Sequence, residues 1–220
     1  MEEKELIDSF HRLWYSKGQL QMRIGEGDDQ VVVQLDANYC GKYLIQKNPL
    51  DLWIYQEILW ECKPDLIVEM GTASGASALF MAHVLDLIGN GQIITVDIDN
   101  RLGIVPPHDR ITYVVGDSVN PLIRDEIQNR TDGKKVMVIL DDDHSTPHVI
   151  QELMMYWRLV TSGQYLIVED TNVDAPLNFG YGPGWAVKEF LSLYNEQFEV
   201  DRRREKFLMT WNPGGYLRRK

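Results

Sequence analysis

From residue 65 onward, apolar residues occur in short continuous runs rather than in alternation with polar ones. Such runs are typical of strands that other elements cover on both faces. Segments with helical periodicity separate most of the runs, and this alternation indicates right-handed crossovers and a parallel sheet. The predicted strands are 65–70, 91–97, 110–115, 135–140 and 164–169, and the predicted helices are roughly 75–88, 120–129 and 147–160.

The pattern before residue 65 predicts two helices and two short strands. Residues 2–17 carry a helical stripe of apolar positions, and a second apolar helix begins after Asn48. Asn48 can cap this helix, Pro49 suits its first turn, and Pro64 follows its end. The segments QVVVQLD (30–36) and KYLIQ (42–46) are predicted to be strands.

The pattern changes after the fifth strand of the series. Residues 178–184 form a glycine-rich loop that could close over a site, and residues 185–196 are helical. Residues 198–204 and 206–215 are predicted to be two strands joined by a tight turn. The fold class is therefore α/β, a doubly wound, Rossmann-like mixed sheet of about seven strands that ends in an antiparallel pair. Such sheets bind ligands at the carboxyl ends of their strands.

We expect two parts in the chain, an N-terminal helix and lid segment (1–48) and one globular domain (49–220). A net charge of -11 over 220 residues argues against nucleic acids and anionic membranes as partners, since both require a basic surface. The basic runs 202–204 and 218–220 are expected to be solvated charge near the C-terminus.

The remaining composition gives no sign of export or of a structural metal. No apolar stretch approaches the roughly 20 residues that span a bilayer, and the acidic, amphipathic N-terminus does not resemble a signal peptide. We therefore expect a cytoplasmic protein. Cys40 and Cys62 fit neither a disulfide framework nor a zinc-ligand spacing.

Acidic residues follow each strand of the predicted parallel sheet at its carboxyl end. They are Glu69, then Asp97 and Asp99, then Asp117, then Asp141, Asp142 and Asp143, and finally Glu169 and Asp170. The carboxyl ends of parallel strands meet at one edge of a sheet, and buried carboxylates are costly without a positive partner. The sequence therefore predicts a positively charged group at this edge.

The first of these strands leads into a turn that suits a cofactor. Gly71 and Gly75 permit a tight turn and a close approach of a ligand to the backbone, and Asp97 can accept both hydroxyls of a ribose. Glu69 would repel a pyrophosphate but suits a cofactor with positive charge, such as S-adenosylmethionine (SAM). The alternatives are plain turn glycines and a nicotinamide-dependent oxidoreductase, although the GxGxxG fingerprint is absent.

The acids after the fourth and fifth strands predict a metal site. Neighbouring strands lie about 5 Å apart, so these carboxylates can converge on one point. Anionic oxygen ligands favour Mg²⁺, Ca²⁺ or Mn²⁺ over zinc or copper, and the alternative is that the acids are simply solvated. His144 and His148 have the spacing of a zinc pair, but Thr146 and Pro147 place His144 before the helix, which disfavours that interpretation.

Several motifs resemble those of class I SAM-dependent methyltransferases: VEMGTASGAS (68–77), TVDID (95–99), GDS (116–118) and VED (168–170). More specifically, NPLDLWIYQEIL, ILDDDHS.PHV..EL, GQYLIVEDT and NPGGYLRR resemble the cephalosporin hydroxylase family. That family has the methyltransferase fold and includes rhamnosyl O-methyltransferases of natural-product pathways. The resemblance covers nearly the whole chain from about residue 45 and implies a methyltransferase domain over 49–220.

The resemblance implies a cofactor pocket with a role for each candidate residue. Asp97 would hold the ribose of SAM, and Asp117 with Ser118 would flank the adenine. The pocket also includes Glu69 and Asp141. The methionine end of SAM would lie on Gly71, Thr72, Gly75 and Ser77.

The resemblance also implies a metal site and a general base. The metal would bind Glu169, Asp170 and one further aspartate, and the family's spacing favours Asp143, whereas similarity to catechol O-methyltransferases favours Asp141. His144 occupies the position of the lysine that serves as general base in the catechol enzymes. An imidazole titrates near neutrality and suits this role.

The implied function is Mg²⁺-dependent transfer of the methyl group of SAM to a hydroxyl of a small natural-product, sugar or catechol-like substrate. The alternative is a cofactor-binding partner subunit of a hydroxylase, without methyl transfer of its own. A pure scaffold needs neither the acids nor His144, so an enzyme is favoured. We also expect a homo-oligomer, and the candidates for a substrate wall are Trp14, Tyr15, Tyr181 and Trp185, each with core packing as the alternative.

Overall fold

The computed structural model describes residues 2–17, 21–24, 31–34, 38–174 and 182–220. The N-terminal part contains one helix and two antiparallel strand pairs, β1 with β2 and β3 with β4. These elements are α1 (Glu3–Lys17), β1 (Gln21–Ile24), β2 (Val31–Gln34), β3 (Asn38–Cys40) and β4 (Tyr43–Ile45). The predictions of α1, β2 and β4 are confirmed, whereas β1 and β3 were not predicted.

The remaining described residues alternate between helices and strands as predicted. The helices are α2 (Pro49–Cys62), α3 (Ala76–Ile88), α4 (Pro121–Gln128), α5 (Thr146–Tyr156) and α6 (Pro183–Tyr194). The strands are β5 (Leu66–Met70), β6 (Gln92–Asp97), β7 (Ile111–Val115), β8 (Val136–Leu140), β9 (Tyr165–Val168), β10 (Phe198–Val200) and β11 (Tyr216–Arg219). Three short 3₁₀ helices cover Trp157–Leu159, Thr171–Asp174 and Arg202–Glu205.

The seven strands β5 to β11 form one mixed sheet in the order β10-β11-β9-β8-β5-β6-β7. The five central strands pair in parallel, and β11 runs antiparallel to both β9 and β10. The strand order reverses between β5 and β8, because the chain moves to one side from β5 and then returns to the other. The predicted fold class is confirmed, and ligands of such sheets bind at this switch point.

The helix boundaries follow from local capping. The side chain of Asn48 accepts a hydrogen bond from the amide of Leu50 at 3.0 Å, and Pro49 fills the first turn of α2, where no backbone donor is needed. The helix ends at Lys63, which adopts a left-handed conformation. Asn120 caps α4 in the same way.

Each face of the sheet has its own apolar core. On one face the strands pack against α4, α5 and α6 through residues such as Ile127, Leu153 and Phe190. On the other face they pack against α2 and α3 through residues such as Ile58 and Ala82. Because β5, β8 and β9 are buried on both faces, their sequences are continuously apolar. No helix in the described part of the chain is long and apolar enough to cross a membrane.

The last strand differs from the prediction. Residues 206–215 contain no strand, and the antiparallel partner of β9 begins only at Tyr216. The apolar run Phe207–Met209 has the composition of a strand, but Leu208 has a φ of +64°, which extended backbone does not allow. Tyr216 and Leu217 supply the buried side chains instead.

The expectation that the run 202–204 is solvated is wrong for Arg204. Its side chain is buried and donates to the hydroxyl of Tyr165, while its guanidinium also contacts the carboxylates of Asp201 and Glu61. The hydroxyl of Tyr165 donates to Asp201 at 2.6 Å. We call Arg204, Asp201, Glu61 and Tyr165 the arginine cluster. It lies at the amino end of β9, opposite the edge where ligands bind.

Candidate active site

A cavity of about 530 Å³ opens at the carboxyl ends of the strands beside the switch point. Its wall combines the turn after β5 with the residues that follow β6, β7 and β8. The predicted site residues in this wall are Gly71, Asp97, Asp117, Ser118, Asp141, Asp143 and His144. Further wall residues that the sequence analysis did not assign to the site are Arg101, Asp142 and His148. His148 was considered only as one half of a zinc pair, because of its spacing from His144.

Gly71 allows the turn after β5 to lie directly against the end of β8. It has a φ of +96°, and its amide donates to the carbonyl of Val96 at 2.9 Å. A Cβ at this position would lie 2.0 Å from the carbonyl oxygen of Asp141. Gly75 faces elsewhere, because a Cβ there would lie 2.7 Å from Cδ of Pro106. Of these two glycines, Gly71 lines the cavity, and contact of Gly75 with a cofactor stays a prediction.

Glu69 lies beneath the turn rather than in the cavity wall. Its buried carboxylate accepts hydrogen bonds from Ser77 Oγ at 2.5 Å and Thr95 Oγ1 at 2.7 Å, and the hydroxyl of Thr95 also contacts that of Thr72 at 2.8 Å. Burial raises the pKa of Glu69 to about 7. This network fixes the turn from below, and direct contact of Glu69, Thr72 or Ser77 with a cofactor stays a prediction.

Asp97 presents its carboxylate at the end of β6. Its two oxygens accept hydrogen bonds from the backbone amides of Ala73 and Asp99, each at 2.9 Å. The contact with Ala73 ties the end of β6 to the turn that follows β5. Each carboxylate oxygen can accept a second hydrogen bond, so Asp97 can also accept from a ribose.

A polar group occupies the far end of the cavity. Ser118 Oγ donates to Asp142 Oδ2 at 2.8 Å, and His148 Nε2 lies 3.0 Å from the same Ser118 Oγ and 3.2 Å from Asp142 Oδ2. Glu152 lies behind His148 with both carboxylate oxygens buried. Burial and the charge of Asp142 raise the pKa of Glu152 well above its usual value.

The acids after β8 and β9 surround a lysine that the sequence analysis missed. Lys47 Nζ lies 2.7 Å from Asp141 Oδ2 and 3.2 Å from Glu169 Oε1. The hydroxyl of Tyr55 also donates to Glu169. We call Lys47, Asp141, Glu169, Asp170 and His144 the lysine cluster. A positively charged group was predicted at this edge of the sheet, and Lys47 is one such group.

The lysine cluster keeps ligand atoms directed at one point. Atoms of Asp141, His144 and Asp170 all lie within 4.8 Å of one another. Glu169 is not part of this set, because its carboxylate faces Lys47 and Tyr55. Asp143 is also outside it, and its carboxylate accepts from the amide of Ser145 at 2.7 Å.

The protonation of the cluster follows from its crowded carboxylates. Burial on its own lowers the pKa of His144, but Asp141 and Asp170 outweigh this effect and raise it to about 10. Nε2 of His144 lies 3.0 Å from Asp170 Oδ2. Burial raises the pKa of Glu169 to about 7, although the charge of Lys47 opposes this shift.

The donor set of the lysine cluster fits a divalent cation of the magnesium or manganese type. Two carboxylates converge beside one imidazole, and a dication held by their oxygens would replace the imidazolium as the partner of the negative charge. Asp170 has a φ of +54°, a costly conformation for a residue other than glycine, and such outliers concentrate at functional sites. The 530 Å³ cavity beside it is of the size that small-molecule cofactors need.

Some predictions lie outside the described residues. These are Tyr181, most of the glycine-rich loop 178–184, and the side chains of Trp14 and Tyr15. Trp185 is partly exposed at the start of α6, with the ammonium of Lys188 over its ring at 4.8 Å. Its contact with a substrate stays a prediction.

The sheet order and the cavity at the switch point define the class of the protein as the methyltransferase type of α/β fold. A solved CmcI structure described with Mg and SAM has a TM-score of 0.63 against this chain, with 19% sequence identity, and covers 90% of this chain and 82% of that one. At this identity the likeness concerns the fold alone.

The sequence comparisons specify the family. A family model described as "Rhamnosyl O-methyltransferase/CmcI" matches residues 30–220. The rhamnosyl O-methyltransferase of Mycobacterium tuberculosis is 36% identical over 185 residues, which cover 78% of this chain and 74% of the relative. The rhamnosyl O-methyltransferase of Mycobacterium leprae is 37% identical over 183 residues, which cover 79% of this chain and 80% of the relative. The chain belongs to the Rhamnosyl O-methyltransferase/CmcI family, which confirms the family resemblance of its motifs.

Proposed function

We propose that this member of an O-methyltransferase family transfers the methyl group of SAM to a hydroxyl of a sugar, of the rhamnosyl type, on a small natural product, with Mg²⁺ as the metal. The observation that carries the proposal is the convergence of Asp141, His144 and Asp170 beside the cavity, whose wall includes Asp141 and His144. The relatives named as rhamnosyl O-methyltransferases support the sugar as acceptor. The same names do not favour the alternative of a partner subunit without transfer activity.

The cavity residues divide into groups that would hold the parts of SAM. Asp97 would accept the ribose hydroxyls, and the turn at Gly71 would approach the methionine end. Ser118 and the neighbouring His148 lie where the adenine would be held. When bound, SAM would supply an activated methyl group, and the wall residues would orient it toward the acceptor.

The lysine cluster would hold the metal. Asp141 and Asp170 are the carboxylates whose oxygens converge, so we assign Asp141 and Asp170 rather than Asp143 to the metal, and His144 to the acceptor hydroxyl. When bound, Mg²⁺ supplies Lewis acidity that lowers the pKa of an acceptor hydroxyl and a template for two adjacent oxygens. Glu169 stays in the cluster but contacts Lys47.

His144 can act as the general base only in its neutral form. Its raised pKa makes it an imidazolium while it faces the negative charges of Asp141 and Asp170. Neutralisation of those carboxylates by a cation removes the cause of this shift. Nε2 of His144 is then free to accept the proton of the acceptor hydroxyl.

The test combines calorimetry with a transfer assay on the full chain. We expect SAM to bind, and radiolabelled methyl groups to reach rhamnosylated acceptors in Mg²⁺ but not in EDTA. Transfer only to polyphenols would show that the acceptor is a catechol-like compound and not a sugar. SAM binding without transfer to any acceptor would contradict the proposed transferase activity and support the alternative of a cofactor-binding partner subunit.

A pair of variants tests which aspartate serves the metal. We expect Asp170→Asn to weaken Mg²⁺ binding by at least about tenfold, because a converging anionic ligand is lost. Asp143→Asn is the matched control, since its carboxylate already accepts from Ser145, and we expect Mg²⁺ affinity to be retained. Equal losses in both variants, measured by Mg²⁺ titration calorimetry, would contradict the exclusion of Asp143 from the metal site. A cytoplasmic location, a homo-oligomer and the boundary at residue 48 stay predictions.

A further inference from the structure

The outer face of α2 carries two exposed tryptophans. The inner face of this helix packs on the sheet through residues such as Ile58, whereas Trp53 and Trp60 are 54% and 57% exposed. The two indoles are seven positions apart in the sequence, so they lie on one face of the helix, two turns from each other. A helix that is apolar on both faces is normally covered on both. Among the described residues, no element encloses these two indoles.

A loop continues this apolar surface beside the helix. Lys206 Nζ contacts both carboxylate oxygens of Glu57 at 2.6 Å, and Glu57 lies between the two tryptophans on α2. Phe207 and Leu208 follow Lys206 and are 36% and 46% exposed. Leu208 has a φ of +64°, which is costly for a residue other than glycine. The backbone therefore holds an apolar side chain in solvent at an energetic cost, and such outliers concentrate at functional sites.

We call Trp53, Trp60, Phe207 and Leu208 the aromatic patch. These side chains expose on the order of 400 Å², which is a large apolar surface for a monomer to leave in water. A stable dimer buries about 800 Å² on each partner, with an apolar centre and a polar rim. The patch has the area of such a centre, and ionic groups surround it as a rim. These groups are Glu57, Glu61, Lys63 and Lys206.

The charges around the aromatic patch favour a second copy of this chain as its occupant. Glu57 is paired with Lys206, and the ammonium of Lys63 lies over the ring of Trp60 at 5.8 Å, so acids and bases balance there. The chain as a whole carries a net charge of -11. Two copies therefore repel each other less at this balanced surface than at the acidic surfaces. A basic partner would be attracted to the acidic surfaces elsewhere, and an anionic membrane would be repelled by them.

We propose that the aromatic patch is a dimer interface of this protein, in which the α2 helices of two copies lie antiparallel and Trp53 of each copy packs against Trp60 of the other. A two-fold axis between residues 56 and 57 brings these positions opposite each other, so the contact is the same on both copies. Tryptophan pairs at the centre of an interface contribute much of its binding energy. The inference goes beyond the proposed catalytic function and does not depend on it.

Analytical ultracentrifugation of the full chain over a range of concentrations tests the interface. We expect the wild type to sediment as a dimer or as a whole number of dimers. Trp53→Glu and Trp60→Lys should each weaken this contact at least about a hundredfold, because each buries an unpaired charge twice per dimer. Both variants suit the helix, since an acid near its start and a base near its end are favourable. Leu87→Glu is the matched control, because Leu87 is 79% exposed on α3 and lies outside the patch, and it should assemble as the wild type does.

A mixture of the two α2 variants tests the antiparallel arrangement. Each mixed pair would contain one tryptophan contact and one ion pair, so we expect a heterodimer that is tighter than either variant alone. If an α2 variant does not fold, as judged by circular dichroism, Phe207→Glu on the loop carries the same test. A monomeric wild type, or an assembly that persists unchanged in the patch variants, would overturn the proposal. Dissociated variants that fail to associate when mixed would refute the antiparallel pairing.

Discussion

Two buried cations lie between carboxylates at opposite ends of the strands of the same sheet. Arg204 sits at the amino end of β9 with Asp201, Glu61 and Tyr165. Lys47 sits at the carboxyl ends of β8 and β9. The two clusters use the same kinds of group, and the sequence around each is similarly rich in charge.

The clusters differ in how much negative charge remains after pairing. All three nitrogens of the Arg204 guanidinium have partners, and Asp201 also receives two hydrogen bonds from the side chain of Arg203. At the other edge, Lys47 contacts Asp141 and Glu169, while His144 lines the cavity and contacts Asp170. A balanced cluster serves stability, whereas an excess of carboxylates beside a cavity is a site for a cation.

The largest effect is expected from Gly71→Ala, which would push against Asp141 in the lysine cluster. A Cβ would lie 2.0 Å from a backbone oxygen, at a φ of +96°, so we expect a loss of more than about 3 kcal/mol in unfolding free energy and of SAM binding. Gly89→Ala is the control, with a φ of +80° but open space, and should lose only about 1 kcal/mol. Urea unfolding and SAM calorimetry measure both; similar losses in the two would show that backbone strain alone matters.

Arg204→Met should show that the arginine cluster is purely structural. Loss of the buried guanidinium leaves Asp201 and Glu61 with fewer partners, so we expect about 3 kcal/mol less unfolding free energy. Because the cluster lies away from the cavity, affinities for SAM and Mg²⁺ should not change. Weakened SAM or Mg²⁺ binding in a folded variant would contradict the division between the two edges.

Asp201→Asn has a smaller effect that depends on pH. Burial alone would raise the pKa of Asp201, but hydrogen bonds from Arg203 and Tyr165 outweigh it and hold the pKa well below its ordinary value. A depressed pKa stabilises the fold above the unfolded value of about 3.9, and this contribution disappears as pH falls below it. We expect the variant to be about 2 kcal/mol less stable at pH 7, with the difference shrinking as pH falls below about 4. Urea unfolding at several pH values checks this, and a constant difference would exclude the charge as its cause.

Several features of the fold could be predicted because they depend on local patterns. Continuous apolar runs predicted β5 to β9, and Asn48 with Pro49 predicted the start of α2. The carboxyl ends of parallel strands lie at the same edge of a sheet, so the predicted strands also indicated that Asp97, Asp117 and Asp141 lie close together. The structure places them around one cavity. The prediction of a strand over 206–215 was wrong, because an apolar composition does not reveal the left-handed conformation of Leu208.

Residues distant in sequence formed the part of the site that could not be predicted. Lys47 precedes Asp141 by 94 residues and lies beside a helix cap, where a lysine is usually solvated. Gln46 separates Lys47 from the apolar run Tyr43–Ile45, and nothing in this local pattern predicts a buried ammonium. Arg204 lay within a basic run that looked solvated, yet its side chain packs beneath β9.

The sequence by itself determined the sheet, its ligand edge and the excess of acid at that edge, because periodicity and strand direction are local properties that add up to a fixed geometry. The tertiary structure alone decided which acids converge, which of them contact Lys47, and which cations are buried. Those outcomes depend on distances of a few ångströms between segments far apart in the chain, over which the interaction of charges changes steeply.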